Sequence, residues 1–127
     1  MNQSQVLNIL PQRLAVCRLE ADEPLPAWAQ NGSFFSITRT AEELSVVCEE
    51  GLNPPDALCE NGWRALMLEG PFDFDQIGIL KSVLDALAGA RISIFAISTF
   101  ETDYILVRAA DLEKAVSALR LAGHRVC

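Results

Sequence analysis

The clearest periodicity in the chain lies in its second half. "WRALMLEG" (63–70) has the apolar density of a short strand and ends at Gly70-Pro71, a turn signal. After it, Ile77, Leu80, Leu84 and Leu87 recur at helical spacing, the stripe of an amphipathic helix, with Gly89 placed to stop it. Two starts fit this helix. Either Asp73 caps it, with Gln76 reaching back and Phe72 and Ile77 forming a hydrophobic staple, or it opens nearer Asp75 and leaves Asp73 and Phe74 in a loop. "ISIFAISTFETDYILV" (92–107) then reads as two strands, about 92–98 and 103–108, joined by a small polar stretch. Leu112, Ala115, Val116, Leu119 and Ala122 mark a second helix with Gly123 as its stop, and "HRVC" supplies a last short strand. The order strand, helix, strand, strand, helix, strand predicts an antiparallel sheet with two helices on one face, the split βαβ arrangement.

The first half carries a weaker copy of the same pattern. "LAVCRLE" reads as strand, "PLPAWAQ" as at most a short helix, "FFSITR" and "LSVVCE" as a hairpin, and "PPDALCEN" as a turn. "FFSITRTAEELSVV" (34–47) aligns without a gap on "IFAISTFETDYILV" (94–107) at an offset of sixty. Phe35 then falls on Phe95, Ile37 on Ile97, Thr38 on Ser98, Arg39 on Thr99 and Glu43 on Asp103. We therefore expect a duplicated α+β architecture, a degraded unit over residues 1–62 and a fuller one over 63–127. A unit of this size buries too little to be comfortable alone, so two units sharing a core, or a dimer, would complete it.

Charge narrows the function. The net charge of -7 among 127 residues disfavours nucleic acid and anionic membranes, whose recognition begins with clustered Lys and Arg. Residues 1–62 carry 3 basic and 9 acidic side chains, whereas 63–127 carry 7 and 8, so the second half is the better host for an anionic ligand group. No apolar run approaches the roughly 18–20 residues that span a bilayer, and "MNQSQVLNIL" lacks the form of a leader, which predicts a cytoplasmic protein. Cys17, Cys48, Cys59 and Cys127 form no CxxC pair and are expected as reduced thiols.

"IGILKSVLDALAGARISI" (77–94), with "FAISTFETDYILV" after it, resembles the ACT domain family, small regulatory modules that bind amino acids. Its paired subfamily includes the cytosolic arginine sensor of animals and free-standing bacterial proteins. The resemblance implies two ferredoxin-like βαββαβ units side by side, an amino-acid effector, a homodimer and a protein partner. It places a ligand at the opening of the first helix, Asp75, Gln76, Ile77, Gly78 and Ile79, and at the hairpin, Ser98, Thr99, Phe100, Thr102 and Asp103. The chemistry suits that assignment: a helix N-terminus offers free N–H groups to a carboxylate. An ionised Asp103 suits an ammonium. Gly78 costs up to about 1 kcal/mol inside a helix, and serves either ligand approach or close helix–strand packing. Asp103 alternatively closes an Asx turn, Phe100 fills core, and Glu101 is merely exposed. Two departures stand out. Ile77 precedes the helix Gly where other ACT sequences often have Asp or Asn with Pro, and the first unit has no Gly-initiated helix, which marks it as scaffold.

Catalysis has little support. The sole His, His124, is expected at the surface near a helix C-terminus, with no nucleophile motif around it. Glu42-Glu43 and Glu49-Glu50 are adjacent pairs that diverge in a strand, and no phosphate-cradling Gly-rich loop is present. No cofactor or metal is expected. The sequence thus points to a non-enzymatic amino-acid-binding regulator, or to an ACT-type dimerisation module without ligand.

Overall fold

The computed structural model describes residues 4–69 and 78–127. It has seven strands and two α-helices among those residues: β1 (Val6–Leu19), β2 (Ser36–Arg39), β3 (Leu44–Glu49), β4 (Leu58–Leu68), α1 (Ile79–Gly89), β5 (Ile94–Ser98), β6 (Asp103–Arg108), α2 (Leu112–Leu121) and β7 (Arg125–Val126). Single 3-10 turns at Ala27–Gln30 and Ala109–Asp111 complete it. The strand–helix–strand–strand–helix–strand order of the second half is present as read, and the fold is α+β.

The chain packs as two units, residues 12–63 and the remainder. Residues before Gln12 pack with the C-terminal unit. The reason lies in β1, a strand of 14 residues of which the sequence pattern reveals only the second part. Its Val6 and Leu7 pair in parallel with β7, whereas Leu14–Leu19 pair antiparallel with β3. Pro11 stands between these stretches. Proline lacks an N–H for the ladder and so reads as a strand breaker in sequence, yet here it falls where the strand passes from one set of partners to the other. The last strand therefore lies parallel to β1, an addition to the simple antiparallel sheet that was expected.

In the C-terminal unit the order runs β1-β4-β6-β5, with β7 on β1. Leu7, Leu66, Leu68, Ile105 and Val107 from the strands close on Val83, Leu87, Ala115 and Leu119 from the helices, all buried. Leu80 and Leu84 pack at the border of this core, so the helical stripe is the one expected from the sequence. The helix does not end as expected. Gly89 is still helical, and the reversing residue is Arg91, at φ 61, with Ile92 N–H donating to the Leu87 carbonyl at 3.0 Å. The left-handed region is costly for a residue with a Cβ and free for glycine. Arg91→Gly is accordingly expected to stabilise the protein by about 1 kcal/mol. Gly89→Ala is expected to gain up to about 1 kcal/mol, because no described atom lies within 4 Å of the position an added Cβ would take. Thermal melts of each variant check this; a lowered midpoint in Gly89→Ala would reveal a neighbour in the unfavourable place.

Gly123, at φ 97, does stop α2. Its N–H donates to Arg120 and that of His124 to Leu119, both at 3.0 Å. His124 is not at the surface: it is 5% exposed, and its Nδ1 accepts the Gln5 N–H at 3.0 Å. The residue after a glycine stop folds back over the last turn, which is what draws this imidazole inward.

The N-terminal unit has the order β2-β3-β1 with the start of β4, and no α-helix. Its core is small: Ala15, Cys17, Ala29, Leu44, Val46 and Cys48 are buried. The expectation of reduced thiols throughout is overturned here, because Cys17 and Cys59 form a disulfide across 42 positions of sequence. β1 and β4 are neighbouring strands, and their pairing brings the two Cα atoms to 4.0 Å. Cys48 is a buried thiol, its pKa raised first by burial and then by the charge of Glu49, while Cys127 is exposed.

Candidate ligand site at the first helix and the 98–103 hairpin

The connection between β5 and β6 is a four-residue turn fixed by its own threonines. Ser98 pairs with Asp103 in the ladder. The Thr99 N–H donates to the Thr102 carbonyl at 2.8 Å, and the Thr102 N–H returns a bond to Thr99 Oγ1 at 3.2 Å. Thr102 Oγ1 in turn donates to the Leu68 carbonyl. The two hydroxyls that looked available for a ligand are thus spent on holding the hairpin and tying it to β4.

Strand alternation then divides the expected residues between two faces. Ser98, Asp103, Ile105 and Val107 share the face whose apolar members pack in the core with α1 and α2. Asp103 is only half-buried there, and one of its carboxylate oxygens accepts a bond from Ser98 Oγ. It has no basic partner among the described residues. Gly78 stands at the N-cap of α1 with φ 89, a conformation that glycine alone adopts without strain. No described atom comes within 4 Å of an added Cβ, so the need for glycine arises from its backbone angle and not from tight helix–strand packing. The first turn of α1 carries no acidic residue and receives no side-chain cap from the described residues, and Ile79 is its first residue. Lys81 in that turn points its charge to Asp85 at 2.7 Å, which raises the lysine pKa through the hydrogen bond and the carboxylate charge. Among the described residues no side chain caps the N–H groups at the positive end of the helix dipole. Asp75, Gln76 and Ile77, with the proposed cap Asp73 and staple Phe72, lie outside the described residues.

Thr99, Phe100 and Thr102 instead line a cleft of about 510 Å3 together with Asn8, Met67, Glu69, Glu101 and Tyr104. Phe100 is 80% exposed and fills no core. The cleft has two carboxylates: Glu69, which sequence reasoning passed over, and Glu101, expected there only as an exposed residue. The signal for Glu69 was weak but present: an acidic residue ending an apolar strand, immediately ahead of the helix opening.

The N-terminal unit carries a hairpin of the same form. Its β2–β3 hairpin closes in the same way, Thr40 N–H donating to Glu43 at 2.9 Å and the Glu43 N–H to Thr40 Oγ1 at 3.2 Å. Thr40, not Arg39, is the counterpart of Thr99, so the true offset is fifty-nine. Leu44 then stands where Asp103 stands, buried in the core, and Arg39 stands in the place of Ser98. Arg39 uses its guanidinium to hold the carbonyls of Ala21 and Glu23.

The α+β fold, a mostly antiparallel sheet with two α-helices, thus holds a helix N-terminus and a hairpin carboxylate within the same C-terminal unit. Comparison makes the assignment specific. Residues 58–120 match the family model of the ACT domain, and residues 12–56 match a separate model for an N-terminal domain. The chain belongs to the ACT domain family. It is 35% identical over 97 residues to the bovine protein named cytosolic arginine sensor for mTORC1 subunit 1, covering 68% of this chain and 30% of that one. Among the curated relatives it matches, the chain spans 56% of one human protein and under a third of the arginine sensors. The crystal structure of protein Atu0741 from Agrobacterium tumefaciens superposes with a TM-score of 0.93 at 44% identity, over 98% of this chain and 92% of that one. The regulatory subunit of aspartate kinase from Thermus thermophilus shares the fold, with a TM-score of 0.69 at 9% identity over 92% and 96% of the two chains.

Proposed function

We infer that the protein is an amino-acid-binding regulator without catalytic activity of its own. The ligand docks between the N-terminus of α1 and the 98–103 hairpin, its carboxylate on the free N–H groups after Gly78 and its ammonium on Asp103. The observation that carries this reading is the placement of Asp103 on the sheet face covered by the helices, with neither a basic partner for Asp103 nor a side-chain cap for the N-terminus of α1 among the described residues. A zwitterion supplies both missing charges at once. The degraded unit acts as scaffold, and the signal passes through a homodimer or a protein partner in the cytoplasm. Arginine is the first effector to test, from the likeness to proteins named arginine sensors.

A thermal-shift screen of the purified protein against the twenty amino acids tests the reading. A ligand that binds only the native state stabilises it by about 2.7 kcal/mol at a hundredfold excess over its Kd. One or two amino acids are expected to raise the midpoint by several degrees. A folded protein that responds to none of them would refute amino-acid binding and leave the unliganded dimerisation module.

A further inference from the structure

A second cleft, of about 550 Å3, lies within the N-terminal unit, among residues that the amino-acid site does not use. One wall is the end of β1 and the segment leading from Glu23 through Pro26 to Trp28; the other is the turn after Pro54 and the first residue of β4. Three carboxylates line it, Glu20, Glu23 and Asp56, against one base, Arg18. That base is already engaged, with Glu20 at 3.5 Å and donating to the Glu42 carbonyl at 3.0 Å. The cleft is therefore acidic in effect, within a half of the chain that carries 9 acidic and 3 basic side chains.

Its apolar part is exposed to an unusual degree. Leu58 is 70% and Leu25 45% accessible, and both border the cleft beside the half-buried ring of Trp28. Isolated leucines at a surface need no explanation, but two flanking an aromatic floor inside one concave, charged site do. The walls are also fixed in advance. Pro26 has φ -72 and ψ 151, the extended geometry that proline holds at little entropic cost. Arg39 pins the preceding loop through the carbonyls of Ala21 and Glu23. The disulfide joins Cys17, next to Arg18 of one wall, to Cys59, next to Leu58 of the other. A preorganised surface loses less on binding than one that must order itself.

We propose that this cleft docks a segment of a partner protein in which a basic side chain is flanked by aliphatic ones. The basic group meets Glu23 and Asp56, and the aliphatic groups cover Leu25, Leu58 and the Trp28 ring. A free small cation would satisfy the carboxylates but leave the leucines wet; a peptide segment satisfies both. The proposal concerns a different site from the amino-acid pocket and stands or falls without it.

The test uses the full chain and a fluorescein-labelled decapeptide of alternating arginine and leucine, read by anisotropy, with the glutamate–leucine peptide as control. We expect binding of the basic peptide alone. The double variant Glu23→Lys/Asp56→Lys should weaken it at least tenfold, and Leu58→Ser severalfold. Asp111→Lys/Glu113→Lys, which makes the same change in net charge at residues of the C-terminal unit that do not line the cleft, should alter it less than twofold. Equal losses in the two lysine pairs would reduce the effect to surface charge and overturn the proposal. So would absence of binding, or displacement of the peptide by N-acetyl-arginine amide at comparable concentration, which would make the cleft a small-cation site. Self-association of the chain that Glu23→Lys/Asp56→Lys abolishes would identify the occupant as a second copy and overturn it likewise.

Discussion

Reduction of the Cys17–Cys59 disulfide is expected to destabilise the N-terminal unit by about 4 kcal/mol. The bond closes a loop across 42 positions, and a cross-link of that span removes a large part of the freedom of the unfolded chain. Few other contributions are on hand to replace it. The unit runs from residue 12 to 63, has no α-helix, and has Leu14, Leu44 and Val46 as its largest fully buried side chains. Small units with little core depend on such staples. A loss of this size corresponds to a fall of roughly 10 °C or more in the thermal midpoint. The check is a pair of melts with and without dithiothreitol, followed by Trp fluorescence, beside the variant Cys17→Ala/Cys59→Ala. The double variant should melt where the reduced protein melts and should not respond to reductant. Identical midpoints for oxidised and reduced wild-type protein would mean that strand pairing alone holds β1 against β4. The buried thiol of Cys48 is not expected to exchange with the bond, since its raised pKa leaves little thiolate near neutrality.

Periodicity made the hairpins and α2 legible, because their apolar positions obey a single period and their ends carry recognisable turn chemistry. Leu112 to Leu119 repeats every third or fourth residue, and Gly123 takes the positive φ that a glycine stop predicts. Where local and tertiary signals diverge, the sequence misleads. Pro11 hides the continuity of β1, whose first residues belong to a different unit from its last. Gly89 advertises a stop that Arg91 performs two residues later. The repeat was read one residue out of register, and a one-residue slip exchanges the two faces of a strand. That slip set Glu43 against Asp103 and so suggested a carboxylate common to both units, whereas Leu44 in fact occupies the position. Disulfide pairing could not be read at all, since Cys17 and Cys59 meet only through the adjacency of two strands far apart in sequence. For the candidate site, the sequence named two parts, the helix opening and the hairpin; what it could not give is that Thr99 and Thr102 bond within the hairpin and to β4, and that Ser98 and Asp103 lie on the helix-covered face while Phe100 lines the cleft.

Asp103→Asn is the variant that should separate binding from folding. The amide keeps an oxygen for the Ser98 hydroxyl and keeps the shape of the side chain, so the native fold should lose no more than about 1 kcal/mol, the worth of an ordinary hydrogen bond. The charge is gone, and with it the attraction for an ammonium in a site where its counterpart is partly shielded from water. Truncating one member of such a pair typically costs 2–5 kcal/mol, so affinity for the amino acid that the screen identifies should fall by at least about thirtyfold. Gly78→Ala should also weaken binding, but for a different reason: a Cβ at φ 89 is strained whatever surrounds it, and relief of that strain re-aims the first N–H groups of α1. Its melting point should drop as well, by the equivalent of about 1–2 kcal/mol. Calorimetric titration of the two variants beside Thr102→Val distinguishes the roles. Thr102→Val removes the hairpin's bond to the Leu68 carbonyl without touching either charge contact, and so should cost stability while leaving affinity within a few fold. If Asp103→Asn binds as tightly as the wild type while Thr102→Val does not, the ligand lies on the other face of the sheet, in the cleft of Glu69 and Glu101, and the assignment of Asp103 to the ammonium is wrong.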